Sequence, residues 1–388
     1  MTGHDSAGTP ERQLRPTDLR SARDLLLAAA KDGLRLGIRG GGTAQGWGAP
    51  LERVDAVVDT TGIADLLAYN PADMTVAVGA GMRLRDLQAK LDGQRVALDA
   101  ARIPHGATVG GLLATGDGGP IRPIYGTLRD LVIGVTVVLA DGTVSQSGGH
   151  VIKNVAGYDL AKLFAGSLGT FGLITEVVLR VHPLPEASGT VAVACDAPTA
   201  FERVTDLLGS TMEPVSVDWI DGRLLVRVEG TEQSVRHRLG VIATVTGGEP
   251  ADDAAWDEVA DVVYGAEGDT ILRAGTRPDR FPALAMSLAS LAAQYDVNAS
   301  LTSSVGIGVH TVRLRGGTAA AHANVLQAWR SDAQCQGGSV TVHRRLEGVD
   351  ELTASWGKAP GAVHVLQAVK KELDPDARLS PGRFAPWF

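Results

Sequence analysis

Arg39-Gly40-Gly41-Gly42-Thr43-Ala44-Gln45-Gly46-Trp47-Gly48 decides how the rest of the chain is read, because half of it is glycine and it directly follows the apolar run Leu34–Ile38. Glycines at a strand end permit positive φ and leave successive backbone N–H groups unshielded, a construction suited to phosphate oxygens. A phosphorylated cofactor is the expected guest; a plain surface loop is the alternative on this stretch alone. Neither G-x-x-x-x-G-K-[ST] nor a strand-to-helix G-x-G-x-x-G with a following acidic residue is present. A nucleoside triphosphatase and a nicotinamide Rossmann enzyme both lose weight.

Upstream, Asp18–Lys31 carries apolar residues at Leu19, Ala22, Leu25, Leu26 and Ala29 and is closed by Gly33, which predicts an N-capped amphipathic helix. The glycine loop then lies between two strands, Leu34–Ile38 and Val54–Asp59. Further on, a strand over Met74–Val78, a short helix over Leu84–Leu91 and a strand over Arg95–Leu98 are expected. A second glycine-rich segment follows, His105 to Gly119, placed to wrap another part of the same ligand. Leu131–Leu139 reads as a strand turned at Asp141-Gly142 into a return strand, Thr143–Ser147. A third glycine cluster runs through Gly149–Leu160 and Gly166–Thr175 into a strand ending at Val181. Each glycine within regular structure costs about 0.5–1 kcal/mol relative to alanine, and close backbone approach to a large ligand offsets that cost.

Pro183-Leu184-Pro185 marks a boundary. Beyond it come a strand at 190–195, a helix at 198–208, a hairpin at 215–228 around Asp221-Gly222 and a helix at 232–243, an order that resembles a split βαβ unit. The order recurs as strand 270–274, helix 279–294, strands 298–304 and 309–315, helix 317–331 and strand 338–345. This is read as a structural repeat without a repeated sequence. Helix 361–372 leads to a tail, 373–383, whose turn residues suggest that it is tied down.

Composition narrows the partners. With 388 residues, 44% of them apolar, the chain can fill two or three cores. A net charge of −8 and 4% aromatic residues argue against nucleic acid. Cys195 and Cys335 lack C-x-x-C spacing, so neither a disulfide framework nor an iron–sulfur or zinc site of the chain's own thiols is expected. A reducing, cytoplasmic compartment is the default. Met1–Arg12 has no apolar core and Leu131–Ala140 is too short to span a bilayer, so no transmembrane segment is expected and at most peripheral membrane association.

Arg39–Thr43 as R-G-G-G-T, Thr108–Thr115 as T-V-G-G-x-x-A-T and Gly166–Thr175 as G-S-x-G-T-x-G-x-I-T, in that order, resemble the vanillyl-alcohol-oxidase-type (PCMH-type) FAD-binding flavoproteins. The resemblance covers about residues 15–185 and the tail. Val151–Asp159, V-I-K-N-V-A-G-Y-D, and Leu168 are most similar to the glycolate-oxidase branch of that family. It implies an α+β fold: a two-subdomain FAD-binding domain plus an α+β cap with an antiparallel sheet. After a flexible start, 1–13, the FAD domain would span 14–185, with subdomains at about 14–68 and 69–185. The cap would span 186–350, and 351–388 would return to the FAD domain.

The resemblance also implies roles. Gly40, Gly41, Gly42 and Thr43, following Arg39, would hold the FAD pyrophosphate with help from N–H groups around Gly46. Thr108, Val109, Gly110, Gly111, Thr115, Gly116 and Gly118 would flank the flavin and ribityl parts, and Ile174 would meet the cofactor with its main chain. A valine at Gly41 would occupy space that a phosphate oxygen needs. The first loop lacks the histidine that some relatives bond to flavin, so FAD is expected to be noncovalent. The metal stretch H-x-x-x-G-D-G-N-x-H of many D-2-hydroxy-acid relatives is reduced here to Ser303–His310, and His310 alone cannot make a metal site. Leu168 replaces a usual glutamate.

Oxidation of a 2-hydroxy acid needs a cation for the carboxylate and a base for the hydroxyl proton. Arg273 and Arg344 are the candidate cations and His310 and His343 the candidate bases, each also explained by a solvated place on a strand. Lys153, Tyr158 and Asp159 would serve the flavin or merely pack their loop. Arg122 and Arg129 would neutralise phosphates or pair with Asp130. No catalytic residue is assigned. The expected function is the FAD-binding subunit of a glycolate-oxidase-like dehydrogenase, working with a larger flavin subunit and an iron–sulfur subunit on a small 2-hydroxy acid. The alternatives are a stand-alone flavin oxidase of a sugar or lactone, and a noncatalytic scaffold.

Overall fold

Asp18 begins the first helix because its carboxylate accepts from the backbone N–H of Ser21 at 2.7 Å, while the Ser21 hydroxyl accepts from the Asp18 N–H at 3.1 Å. The helix, Leu19–Lys31, buries Ala22, Leu26 and Ala29. These pack over a small parallel sheet of β1 (Gln13–Leu14), β2 (Leu36–Arg39) and β3 (Ala56–Asp59), in the order β1-β3-β2. The computed structural model describes residues 12–150 and 159–388. Val151 to Tyr158, most of the family-like phrase, lie outside the described residues, as does the chain before Arg12.

A second, antiparallel sheet is built from β4 (Leu66–Asn70), β5 (Thr75–Gly79), β7 (Val132–Val138), β8 (Val144–Gly148) and β9 (Leu173–Arg180), in the order β4-β5-β9-β7-β8. The strand expected at Arg95–Leu98 shrinks to β6 (Gln94–Arg95), which pairs with β10 (His182–Pro183). The second glycine segment holds a helix, Val109–Thr115, capped by Thr108 Oγ1 accepting from Gly111 N at 3.2 Å. Gly110 is needed because the helix presses on its neighbour: a Cβ there would sit 2.7 Å from that of Ala80, whereas one on Gly111 would meet only Thr108 Oγ1, at 3.0 Å.

The cap is one eight-stranded antiparallel sheet. Its strands are β11 (Ala187–Ala194), β12 (Ser216–Ile220), β13 (Arg223–Gly230), β14 (Glu249–Ala251), β15 (Thr270–Gly275), β16 (Asn298–Ser304), β17 (Val309–Arg315) and β18 (Ser339–Arg344). The order β14-β11-β13-β12-β16-β17-β15-β18 divides into two βαββαβ units, each with its strands arranged fourth, first, third, second. They join edge to edge where β12 pairs with β16 through Asp218–Ser304, Trp219–Ser303 and Ile220–Thr302. The expected repeat is therefore present in the backbone. Helices Ala197–Leu208, Phe281–Gln294 and Ala319–Cys335 cover one face, where Phe281 and Trp329 are completely buried. The other face meets helix Ala254–Tyr264, which the sequence reading missed, and the FAD-type domain. No helix among the described residues is long and apolar enough to cross a membrane.

The tail returns across both domains. Leu36 N donates to Arg378 O and Ser380 N to Leu36 O, both at 2.7 Å, which lays the tail beside β2. Buried Lys370, on helix Val363–Leu373, donates to Asp374 Oδ2 (2.6 Å), Thr170 O (2.8 Å) and Leu379 O (3.2 Å). Asp374 also accepts from the N–H groups of Arg378 at 3.0 Å and Leu379 at 2.7 Å. Deleting one member of a buried pair leaves an uncompensated charge, so Asp374→Ala should cost about 3–5 kcal/mol. Chemical denaturation of the purified variant checks this; a loss below about 1 kcal/mol would contradict the assigned role of the pair.

Candidate functional site

The first glycine loop is held by its carbonyls. Arg102 Nε donates to Thr43 O at 3.2 Å, Arg383 Nη1 to Gln45 O at 2.7 Å, and Arg345 Nη2 to Gly46 O at 2.6 Å and also to Gly48 O. The N–H groups are left on the other side. Among the described residues, none of the amides from Gly40 to Gly46, which are exposed or half-buried, donates to a protein acceptor. Gly40 to Gln45 border an open cleft. A row of free N–H groups backed by three guanidinium groups is an anion nest, and it fits a pyrophosphate.

Gly40, Gly41, Gly42, Thr43, Gly110, Gly111, Thr115 and Ile174 line this cleft, together with Leu168, Trp47, Arg102 and Arg383. Gly46 turns its α-carbon towards the cap, where a Cβ would stand 3.1 Å from His343 O. Thr108 and Val109 stand behind the wall as helix cap and core, and Gly116 ends the same helix in the left-handed region at φ 62°. Arg39 closes β2 at the mouth of the loop. Gly118 lines a second cleft.

Gly41 corrects an expectation. A Cβ there would stand 2.0 Å from the Gly106 carbonyl oxygen, inside the protein, because the first glycine loop rests on the second. The glycine is required by packing of loop on loop rather than by a phosphate oxygen.

The second cleft, of about 1060 Å³, lies between the domains. Period-two alternation places Asp218 on β12, Thr302 and Ser304 on β16, Thr311 on β17 and Arg273 on β15 on one face of the cap sheet, and all line the cleft. From the opposite side Leu98–Ala101, Ile103, Pro104 and Gly118–Pro120 close it. The clefts thus share one wall, since Arg102 lines the first while its neighbours line the second. Arg273 Nη1 donates to Thr311 Oγ1 at 3.2 Å, and no carboxylate pairs with it among the described residues. Burial pulls its pKa down to about 10. Burial, seconded by the nearby Asp99 charge against the Ser304 hydrogen bond, pushes Asp218 up to about 7, and burial pushes Asp99 up to about 6.

The candidate bases lie elsewhere. His310 is on the reverse face of the sheet: its Nδ1 meets Ser303 Oγ at 2.8 Å, its Nε2 meets Thr276 Oγ1 at 2.9 Å, and its ring stacks on Phe281. Burial holds its pKa down to about 4. His343 is half-buried and stacked on Trp47 at 3.6 Å, with its pKa lowered by loss of solvation. Arg344 lies over the Tyr264 ring at 5.2 Å. Arg122 and Arg129 line neither cleft, and Asp130 instead accepts from Thr127 N at 2.9 Å. Asp159 pairs with Lys162 at 2.9 Å, while Lys153 and Tyr158 lie outside the described residues. Of the four cap candidates only Arg273 faces the cleft. Asp99, Asp218 and Arg227 were missed; a lone acid in the apolar strand Ser216–Ile220 was the available signal for Asp218.

Because Gly41 is set against Gly106, Gly41→Ala should lower the thermal midpoint of the cofactor-free protein, by several degrees at the least. Gly42→Ala meets nothing nearer than Arg39 Cδ at 3.8 Å and carries only the left-handed penalty of about 1–2 kcal/mol. Scanning calorimetry of the two apoproteins checks the order; equal midpoints would contradict loop-on-loop packing.

Residues 10–148 match the family described as FAD binding domain. The chain is 31% identical over 196 residues to glycolate oxidase subunit GlcE of Escherichia coli, covering 50% of this chain and 55% of that protein. It is 38% identical over 124 residues to glycolate oxidase subunit GlcD of Bacillus subtilis, covering 32% of this chain and 26% of that one. It is 34% identical over 154 residues to the mitochondrial D-lactate dehydrogenase [cytochrome] of Arabidopsis thaliana, covering 40% and 27%. The chain thus spans about half or less of the length of these relatives. In fold it is similar to an alkyldihydroxyacetonephosphate synthase, with a TM-score of 0.72 at 16% identity over 95% of this chain and 76% of that one. The chain is therefore a flavoprotein related to FAD-linked oxidoreductases, and its residues 10–148 belong to the FAD binding domain family.

Proposed function

We propose that this chain holds FAD noncovalently in the first cleft and serves the oxidation of a small 2-hydroxy acid bound in the second, as one flavin subunit of a glycolate-oxidase-like dehydrogenase. The observation that carries the reading is the shared wall, Leu98–Pro104, between an anion nest and a cleft whose floor holds a guanidinium, that of Arg273, with no carboxylate partner among the described residues. FAD, when bound, supplies the capacity to accept two electrons. The amides of Gly40–Gly46 hold its pyrophosphate, with Arg102 and Arg383 adding positive charge. Gly110, Gly111, Thr115 and Ile174 border the remainder of the cofactor.

Arg273 binds the substrate carboxylate, helped by the hydroxyls of Thr302 and Thr311. A guanidinium that lacks a carboxylate partner inside the protein is suited to a partner brought by the substrate. The wall around it, including Trp256 and Val259, limits water at the reacting carbon. The relatives' names as glycolate oxidase subunits support an assembly with a larger flavin subunit, and the electrons then pass to an iron–sulfur subunit. The chain's two cysteines, both free and far apart, support a cluster held by another chain. A cytoplasmic place, with membrane contact made through partners, completes the proposal.

The purified chain, alone and recombined with its co-purifying partners, is mixed anaerobically with glycolate or D-lactate while flavin absorbance is followed. Bleaching is expected; none in either preparation overturns the reading. Arg273→Met should keep the FAD content, since Arg273 lies outside the first cleft. It should lower kcat/KM by roughly 10- to 150-fold, the loss of a charge-assisted bond worth about 1.5–3 kcal/mol.

A further inference from the structure

Asp218 is buried, 4% exposed, yet it lines the inter-domain cleft. Its Oδ1 accepts from Ser304 Oγ at 2.8 Å. Its Oδ2 has no protein partner among the described residues. The strand setting explains why it points there: Val217 and Trp219 face the cap core, so Asp218 and its cross-strand partner Ser304 must face the cleft. A carboxylate in such a place is costly unless it is paired. No cation within ion-pairing distance compensates it among the described residues.

The charged surroundings come from every element about the site. Asp99 faces it from the FAD domain, where its two oxygens each lie 3.3 Å from Ile121 N and 4.0 Å separates its Oδ2 from Arg227 on β13. Arg122 acts from helix Arg122–Tyr125, Arg273 from β15, and Asp257 lines the cleft from helix Ala254–Tyr264. Two carboxylates, one from each domain, therefore meet across a cleft that also offers a guanidinium for an anionic substrate.

We propose that Asp218 is the catalytic base, receiving on Oδ2 the hydroxyl proton of the 2-hydroxy acid anchored at Arg273, with Asp99 and Ser304 as the residues that set its proton affinity. In the balanced step the O–H bond would break with its proton passing to Asp218, the C2 hydrogen would leave with its electron pair as hydride, for which bound oxidised FAD would be the acceptor, and the C–O bond would become C=O. This rests on the reading of the inter-domain cleft as the substrate site. Base function needs the ionised form. Burial and the Asp99 charge raise the proton affinity to a pKa of about 7, so the ionised form, and with it the rate, grows as pH rises through neutrality.

The test uses the FAD-loaded full chain, with its partners if they are needed for turnover. Asp218→Asn should slow flavin reduction by about 100-fold or more and Asp218→Glu should restore part of it. Two neighbouring changes have opposite signs. Ser304→Ala removes a bond that favours the ionised form and should move the rising limb of the pH–rate profile to higher pH. Asp99→Asn keeps an acceptor for Ile121 N, removes a like charge and should move the limb to lower pH. A second readout needs no turnover: binding of oxalate, followed by calorimetry at pH 7.5 in buffers of different ionisation enthalpy, should take up a proton in the wild type and distinctly less in Asp218→Asn, where only Asp99 remains to receive one. Unmoved limbs in both neighbour variants, or equal proton uptake, overturn the assignment even if Asp218→Asn is unstable. If wild-type flavin is not reduced by any 2-hydroxy acid but oxalate uptake depends on Asp218, the substrate reading fails while the proton site stands.

Discussion

The guanidinium bonds to the carbonyl side of the first glycine loop are the constraint on which the rest depends. A peptide has two polar edges, and Arg102, Arg345 and Arg383 occupy one of them at Thr43, Gln45, Gly46 and Gly48. The three side chains come from the FAD domain, the end of the cap sheet and the tail. The loop is thus the meeting point of the three parts of the chain. Its ring contacts repeat the pattern: Trp47 stacks on His343 of the cap on one side and lies under Arg102 at 4.3 Å on the other. Losing one clamp would free a carbonyl and also the orientation of the amides beside it.

The division of labour between clefts follows from that hub. Holding the cap against the loop brings one face of the cap sheet over Leu98–Pro104, and the sheet alternates side chains by two. Every cap-sheet residue that lines the second cleft therefore comes from one parity on β12, β13, β15, β16 and β17. Everything of the other parity, His310 included, packs against helices. Arg95 Nη1, bonded to Glu229 Oε1 at 3.0 Å, adds a further tie between the domains away from both clefts.

Local chemistry was legible in the sequence and long-range assembly was not. The helix at Leu19–Lys31, the hairpin turn at Asp221-Gly222 and the strands Asn298–Ser304 and Val309–Arg315 were readable because caps, turn residues and apolar period are written locally. The glycine loop itself was readable because missing side chains are themselves a signal, and it lines an open cleft. Helix Val109–Thr115 was hidden because glycine disfavours a helix, and only the pressure of Ala80 explains it. The direction of His310 and Asp218 depends on strand register, which a slip of one residue would reverse. Arg102 and Arg383 carry no local mark of their roles, since each acts on a carbonyl far away in the chain.

The clamp from Arg383 also bears on the order of events in biosynthesis. The residues that open the first cleft, Gly40 to Thr43, are made early, but Arg383 follows the whole cap in the chain. An emerging polypeptide would pass through a long interval in which the glycine loop exists without its full set of donors. The clamped form of the loop is thereby tied to completion of the cap and tail rather than to completion of the domain that carries the loop, so that a chain stalled within the cap would have this cleft only partly formed.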